Sequence, residues 1–273
     1  MESIDCHAHV FARALSFVSE RRYTVDYDAT EAQYLDHLAR NGIGRGVLVQ
    51  PSFLGTDNGF MVENLRRHPR KLRGIAVVEP GVSAGVLDQL AADGVVGIRL
   101  NLIGRALPDW RDPAWRALLD AVAARDWQIE IHCEAINLKR VVPAILDAGV
   151  KVVVDHFGRP DPELGVDDAG FRYLLSLAGS GRVWVKLSGA YRNGSQGERI
   201  AMAATPLLRE SFGLQRLVWG SDWPHTMFEQ RTGYDDTVRQ LHRWLPDEHE
   251  RRIVMSETPA KLFGWNDEGP GAR

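Results

Sequence analysis

The sequence predicts a closed (β/α)₈ TIM barrel, and three observations carry that expectation. Short runs dense in Val, Ile and Leu alternate with amphipathic stretches along the chain. Eight such runs occur, each separated from the next by a helical or loop stretch. The length, 273 residues, is one at which an α/β barrel forms as one domain. A doubly wound open sheet is the alternative, but no G-x-G-x-x-G follows the first run.

In order, the strands are expected at Ser3 to His7, Gly46 to Gln50, Gly74 to Val78 and Val95 to Leu100, then at Gln128 to His132, Val150 to Asp155, Val183 to Leu187 and Leu217 to Gly220. Continuous apolar runs of this kind suit parallel strands covered on both faces. Between them, Glu31 to Arg40 sets Tyr34, Leu35 and Leu38 on one helical face. Ala114 to Ala124 does the same with Trp115, Leu118, Leu119 and Val122, and Phe171 to Leu177 behaves similarly. Gly42, Gly94, Gly149 and Gly213 follow helices, where a left-handed residue ends the helix before the next strand. One domain is expected over residues 1–265, with a loose tail at 266–273.

Composition excludes several classes. A net charge of −3 offers no basic footprint for nucleic acid, and no apolar run reaches membrane-spanning length. Two cysteines do not make a disulfide framework. A strand-like run starts at once, leaving no room for a signal peptide, so a cytoplasmic location is expected. The helix patterns leave a homodimer open.

The histidines carry the functional signal. Of nine, five fall at the C-terminal ends of predicted strands: His7, His9, His132, His156 and His225. In TIM barrels that end carries the chemistry. His7 and His9 are two apart, so both should face the barrel mouth while Cys6 and Ala8 point away. An isolated H-x-H is more often chance than chemistry; a convergence of histidines with Asp222, just past the last strand, is not. A carboxylate there can ligate a metal or take a proton from water, though an Asx turn ahead of Pro224 would also suit it. Arg99 occupies an inward strand position that needs an anionic partner. Arg105 and Arg192 lie in loops at the same end. Three guanidinium groups there suit an anionic substrate. Ser52, Thr56, Asp57 and Asn58 offer hydrogen bonds to it, or simply build a turn.

Together, I-D-C-H-A-H-V-F, V-L-V-Q-P-S-F-L-G-T-D-N, R-G-I-A-V-V-E-P, G-I-R-L-N, V-V-D-H-F-G-R-P-D, V-W-G-S-D-W-P-H and E-T-P-A-K-L-F-G span essentially the whole chain. As a set they resemble the amidohydrolase superfamily, in its amidohydrolase-2 branch, and are most similar there to the 2-pyrone-4,6-dicarboxylate lactonases. The resemblance implies hydrolysis of a small anionic lactone, carboxylated or sulfonated. Asp222 would be the general base, and His7, His9 and His156 would surround the scissile carbonyl. Arg99, Arg105 and Arg192 would hold the substrate's carboxylates; apart from the resemblance, Ser52, Thr56 and His225 are further candidates for binding it. In those lactonases the resemblance implies a tyrosine at the fifth strand's end and a metal-free reaction. Here that position is His132, so His7, His9, His132 and Asp222 also match the single-zinc set of metal-dependent members. A metal-dependent decarboxylase of an aromatic or unsaturated acid is therefore the second reading. A non-catalytic anion-binding barrel is the third, and the complete constellation argues against it.

Overall fold

The computed structural model describes residues 1–265; the tail expected at 266–273 lies outside the described residues. Eight parallel strands pair in chain order. They are β1 (Ile4–Ala8), β2 (Arg45–Val49), β3 (Leu72–Ala76), β4 (Val95–Asn101), β5 (Gln128–His132), β6 (Lys151–Val154), β7 (Val183–Leu187) and β8 (Leu217–Trp219). Each matches its sequence expectation to within two residues. Helices α1 (Glu31–Arg40), α2 (Gly59–Arg67), α3 (Ala84–Ala92), α4 (Pro113–Ala124), α5 (Leu138–Asp147), α6 (Ala169–Ser176), α7 (Gly197–Phe212) and α8 (Tyr234–Trp244) follow the strands one by one. Gly42, Gly94, Gly149 and Gly213 all take positive φ where helix turns into strand.

The seam between β8 and β1 closes just beyond the regular strands. Asp222 N donates to His7 O at 2.7 Å, and His9 N donates to Trp223 O at 2.8 Å. Gly220 permits this approach. A Cβ there would lie 2.6 Å from His7 Cβ and 2.8 Å from His7 N, closer than any side chain tolerates. Behind the seam, Asp5 accepts from Ser221 N at 2.8 Å, Ser221 Oγ at 2.6 Å and Tyr234 Oη at 3.0 Å. The same polar cross-link thus fixes the chain on both sides of His7 and Asp222.

The barrel interior divides into two regions. Its lower part is apolar, built from Ile4, Val47, Val49, Ile75, Val153 and Val218 and stoppered by Phe263 and Trp265 near the chain's end. Its upper part is charged. On β5, Ile129 and Ile131 pack into the helix layer, while Glu130 and His132 face inward.

One orientation differs from the sequence expectation. Cys6 packs in the interior cluster instead of pointing away, whereas Ala8 joins the outer one. The β1–β2 register shifts between Asp5 and Ala8. That irregularity lets Cys6 and His7 both face inward, which strict alternation forbids.

Candidate active site

Strand ends bring His7, His9, Asp155, His156 and Asp222 together at the C-terminal mouth, all buried. His7, His9 and Asp222 offer ligand atoms within 4.8 Å of one another, as do His7, Asp155 and His156. The His7 and His9 rings are 5.0 Å apart, His7 and His156 4.8 Å, and His132 and His156 4.9 Å. Four residues here adopt positive φ without being glycine: His156 (53°), Arg159 (53°), Asp222 (61°) and His225 (65°). Such backbone costs about 1 kcal/mol or more each and concentrates at functional sites.

Asp222 is held from one side by cations and donors. Tyr191 Oη donates to its Oδ2 at 2.6 Å, and Arg192 bonds both carboxylate oxygens, Nη2 reaching Oδ1 at 3.2 Å. Burial opposes its charged form, but Arg192 outweighs this and holds its carboxyl well below the usual range. Oδ1 also faces His9 Nε2 at 3.6 Å and His7 Nε2 at 3.8 Å. Burial keeps the histidines neutral: His156 falls to about 3 and His225 to about 4. His7, His9 and His132 are lowered for the same reason.

Below them lies a buried ionic layer. Lys186, at 0% exposure, places Nζ 2.6 Å from Glu130 Oε2, 2.9 Å from His7 Nδ1 and 3.4 Å from Asp155 Oδ1. Arg99 donates to Asp155 Oδ2 through Nη2 at 3.0 Å and Nε at 3.2 Å, and its Nη2 lies 3.3 Å from His132 Nδ1. Burial pushes the Glu130 carboxyl up to about 7 against the pull of Lys186. For Asp155 the cations win: despite burial, Lys186 and Arg99 hold it well below the usual range.

The donor set does not suit the expected zinc site. A zinc ligand must present a free lone pair, with its other ring nitrogen donating outward. His9 meets this, since Nδ1 donates to Val49 O at 2.6 Å. His7 and His132 face cations instead, with Lys186 Nζ 2.9 Å and Arg99 Nη2 3.3 Å from their Nδ1 atoms, so these nitrogens are met by donors. Asp222 is already gripped by Arg192.

The expected substrate-binding residues separate. Arg192 and His225 belong to the site, with His225 Nδ1 3.1 Å from Tyr191 Oη. Arg105 is exposed at the mouth and reaches Glu20 O at 3.2 Å. Ser52 is half-buried in the turn after β2. Thr56 is exposed and lines a groove of about 730 Å³ between α2 and α3, with Val62, Val77 and Leu90, which contains none of the histidines. Asn58 clamps the loop, with Nδ2 donating to Val77 O at 2.8 Å and Oδ1 accepting from Val77 N at 3.0 Å. Asp57 accepts from Gly59 N at 3.1 Å; for these two, turn chemistry prevails.

Residues 4–265 match the family described as Amidohydrolase, the second amidohydrolase group. The chain belongs to the amidohydrolase-2 family. It is 31% identical to a 4-sulfomuconolactone hydrolase of Rhizobium radiobacter, covering 95% of this chain and 89% of that one. It is also 31% identical to a 2-pyrone-4,6-dicarboxylate hydrolase of Comamonas testosteroni, covering 97% and 91%. A solved structure of a probable 2-pyrone-4,6-dicarboxylic acid hydrolase from Acinetobacter baumannii, with citric acid bound, is 39% identical at a TM-score of 0.94, covering 97% of this chain and 100% of that one. As an amidohydrolase-2 protein the chain is a hydrolase.

Sequence reasoning missed several residues of this amidohydrolase-2 mouth. Tyr191 carried no signal beyond adjacency to Arg192. Lys186 did: it is the lone charge in the apolar run of β7. Arg22 and Arg159 were also missed. Burial lowers Arg159 to about 10, helped by Arg192 and Arg22; Arg22 is lowered too, and feels Arg99, Arg192 and Arg105. No membrane-crossing helix occurs among the described residues.

Proposed function

We propose that this protein opens a small lactone bearing carboxylate or sulfonate groups, by attack of water on the ring carbonyl. One observation carries the reading. Inside the barrel the cations Lys186, Arg99 and Arg192 stand against Glu130, Asp155 and Asp222, while Arg22, Arg105 and Arg159 add positive charge at the mouth with no salt bridge among the described residues. Unpaired guanidinium groups converging on one cavity attract a ligand with more than one negative group.

Water is activated between Asp222 Oδ1 and His9 Nε2. These are both acceptors 3.6 Å apart, and water has two hydrogens for them. Asp222 takes a proton as the oxygen attacks. His156, whose Nδ1 lies 2.9 Å from Ser188 Oγ, lines the same cavity beside the scissile carbonyl. Arg99 lends Nη1, which has no hydrogen bond among the described residues. Arg105 and Arg192 bind the outlying anionic groups, helped by Ser52 and His225. The reaction needs no resident metal, which suits the donor set; the relatives' substrates, 2-pyrone-4,6-dicarboxylate and 4-sulfomuconolactone, are the first probes.

The test is a product assay on both probes, with dihydroxybenzoates as decarboxylase controls. Ring-opened acid with one proton released per turnover supports the reading. Release of CO₂ that stops on chelation would replace it with the lyase.

A further inference from the structure

The two histidines of the H-A-H motif meet opposite kinds of hydrogen-bond partner at Nδ1. His9 Nδ1 lies 2.6 Å from Val49 O, a pure acceptor, so its hydrogen is on Nδ1 and Nε2 presents a lone pair. His7 Nδ1 lies 2.9 Å from Lys186 Nζ. An ammonium has three donors and no acceptor. Its three neighbours are acceptors: Glu130 Oε2 at 2.6 Å, His7 Nδ1 at 2.9 Å and Asp155 Oδ1 at 3.4 Å. Asp155 Oδ1 is also 3.4 Å from His7 Nδ1 and would accept a hydrogen from it. That arrangement would set two N–H groups head-on at 2.9 Å, so the ammonium excludes it. His7 Nε2 consequently carries hydrogen, and it is buried without a partner at the mouth.

We propose that Lys186, anchored by Glu130, is a positioning residue that fixes His7 as an Nε2–H donor to the substrate's carbonyl oxygen. This rests on the hydrolytic reading above. It divides the H-A-H pair by role: His9, with Asp222, orients water through lone pairs, and His7 stabilises the oxyanion through its N–H. The motif that resembles a pair of metal ligands is then one acceptor and one donor, and the deciding atom lies on β7, outside the motif. No proton is gained or lost by His7 in this role. The oxyanion forms against an existing N–H and collapses when the ring C–O bond breaks, with the proton from water reaching the leaving oxygen by way of Asp222.

The experiment uses the full-length protein with ¹⁵N-labelled histidine and long-range ¹H–¹⁵N spectra at pH 7.5, the His7 and His9 signals being assigned by their loss in His7→Asn and His9→Asn. His7 is expected as the Nε2–H tautomer and His9 as Nδ1–H, both unchanged by one equivalent of ZnCl₂. His7 as Nδ1–H, or its conversion to that form by zinc, overturns the proposal. The double variant Lys186→Met/Glu130→Gln removes the cation and its counter-charge together. In it His7 is expected to turn to Nδ1–H, donating to Asp155, and kcat on 2-pyrone-4,6-dicarboxylate to fall about 100-fold with little change in KM. An unchanged tautomer or an unchanged kcat overturns the proposal; if the double variant fails to fold, the wild-type spectrum decides. The spectra need no substrate. A protein that turns over neither lactone but shows the expected tautomers loses the hydrolytic reading and keeps the Lys186 assignment.

Discussion

Arg192 grips Asp222 by both carboxylate oxygens, with Nε against Oδ2 and Nη2 donating to Oδ1 at 3.2 Å. The residue expected to bind substrate therefore also restrains the residue expected to act as base. An anionic group entering the mouth competes with Asp222 for that guanidinium, and each step of its withdrawal raises the basicity of the carboxylate. On the proposed function, substrate charge and base strength are linked through one side chain.

Arg192→Met should accordingly do two things. KM for an anionic lactone rises at least about tenfold, as a charge-assisted contact is lost. The acid limb of kcat/KM moves to higher pH, because Arg192 is what lowers the Asp222 carboxyl against burial. A pH–rate profile from pH 4 to 9 checks this; a raised KM with an unmoved acid limb would show that Arg192 does not restrain the base.

Arg99 and Arg159 should differ in kind. Arg99 is 4% exposed and paired with fully buried Asp155, so Arg99→Met leaves a buried carboxylate short of a partner. It should cost about 3–5 kcal/mol of stability as well as raising KM. Arg159 makes no salt bridge among the described residues, so Arg159→Met should raise KM while leaving the melting temperature within about 2 °C. Thermal denaturation beside kinetics separates them, and equal losses of stability would erase the distinction.

Stability should fall in acid, beginning near neutrality. His156 and His225 are lowered to about 3 and 4 in the fold, against about 6.5 in the unfolded chain. Below about 6.5 the unfolded state binds protons that the folded state refuses, so unfolding becomes easier by up to about 1.4 kcal/mol per pH unit for each such histidine. Glu130, raised to about 7, and Asp5, raised by burial, act oppositely, but they are two groups against five buried histidines. Urea midpoints at pH 7.5 and pH 5.5 test the balance; an equal or higher midpoint at pH 5.5 would contradict it.

The barrel was legible because its strands are apolar runs and four of its helices run into a left-handed glycine, both local signals. The clustering of His7, His9, His156 and Asp222 was legible because strand ends in a closed parallel sheet converge. What escaped depends on closure or on local irregularity. Lys186 and Glu130 lie on strands β7 and β5, and only the barrel's interior joins them at 2.6 Å. The inward turn of Cys6 follows from a register shift that strand alternation cannot anticipate. His132 looked like a zinc ligand by residue type; Arg99 beside its Nδ1 gives it the opposite polarity, a property of the neighbour and not of the histidine. Thr56 was drawn toward the site by its loop, yet it lines a groove elsewhere.

In the proposed reaction everything turns on Asp222, which activates water for attack on an anionic lactone. The most direct test compares wild type with Asp222→Asn on 2-pyrone-4,6-dicarboxylate, measuring kcat and KM at pH 7.5 in the presence of chelator. The wild type is expected to turn over with chelator present, and Asp222→Asn to lose about 10³-fold in kcat with KM unchanged or lower, Arg192 being freed for the substrate. A variant with near-normal kcat would contradict it.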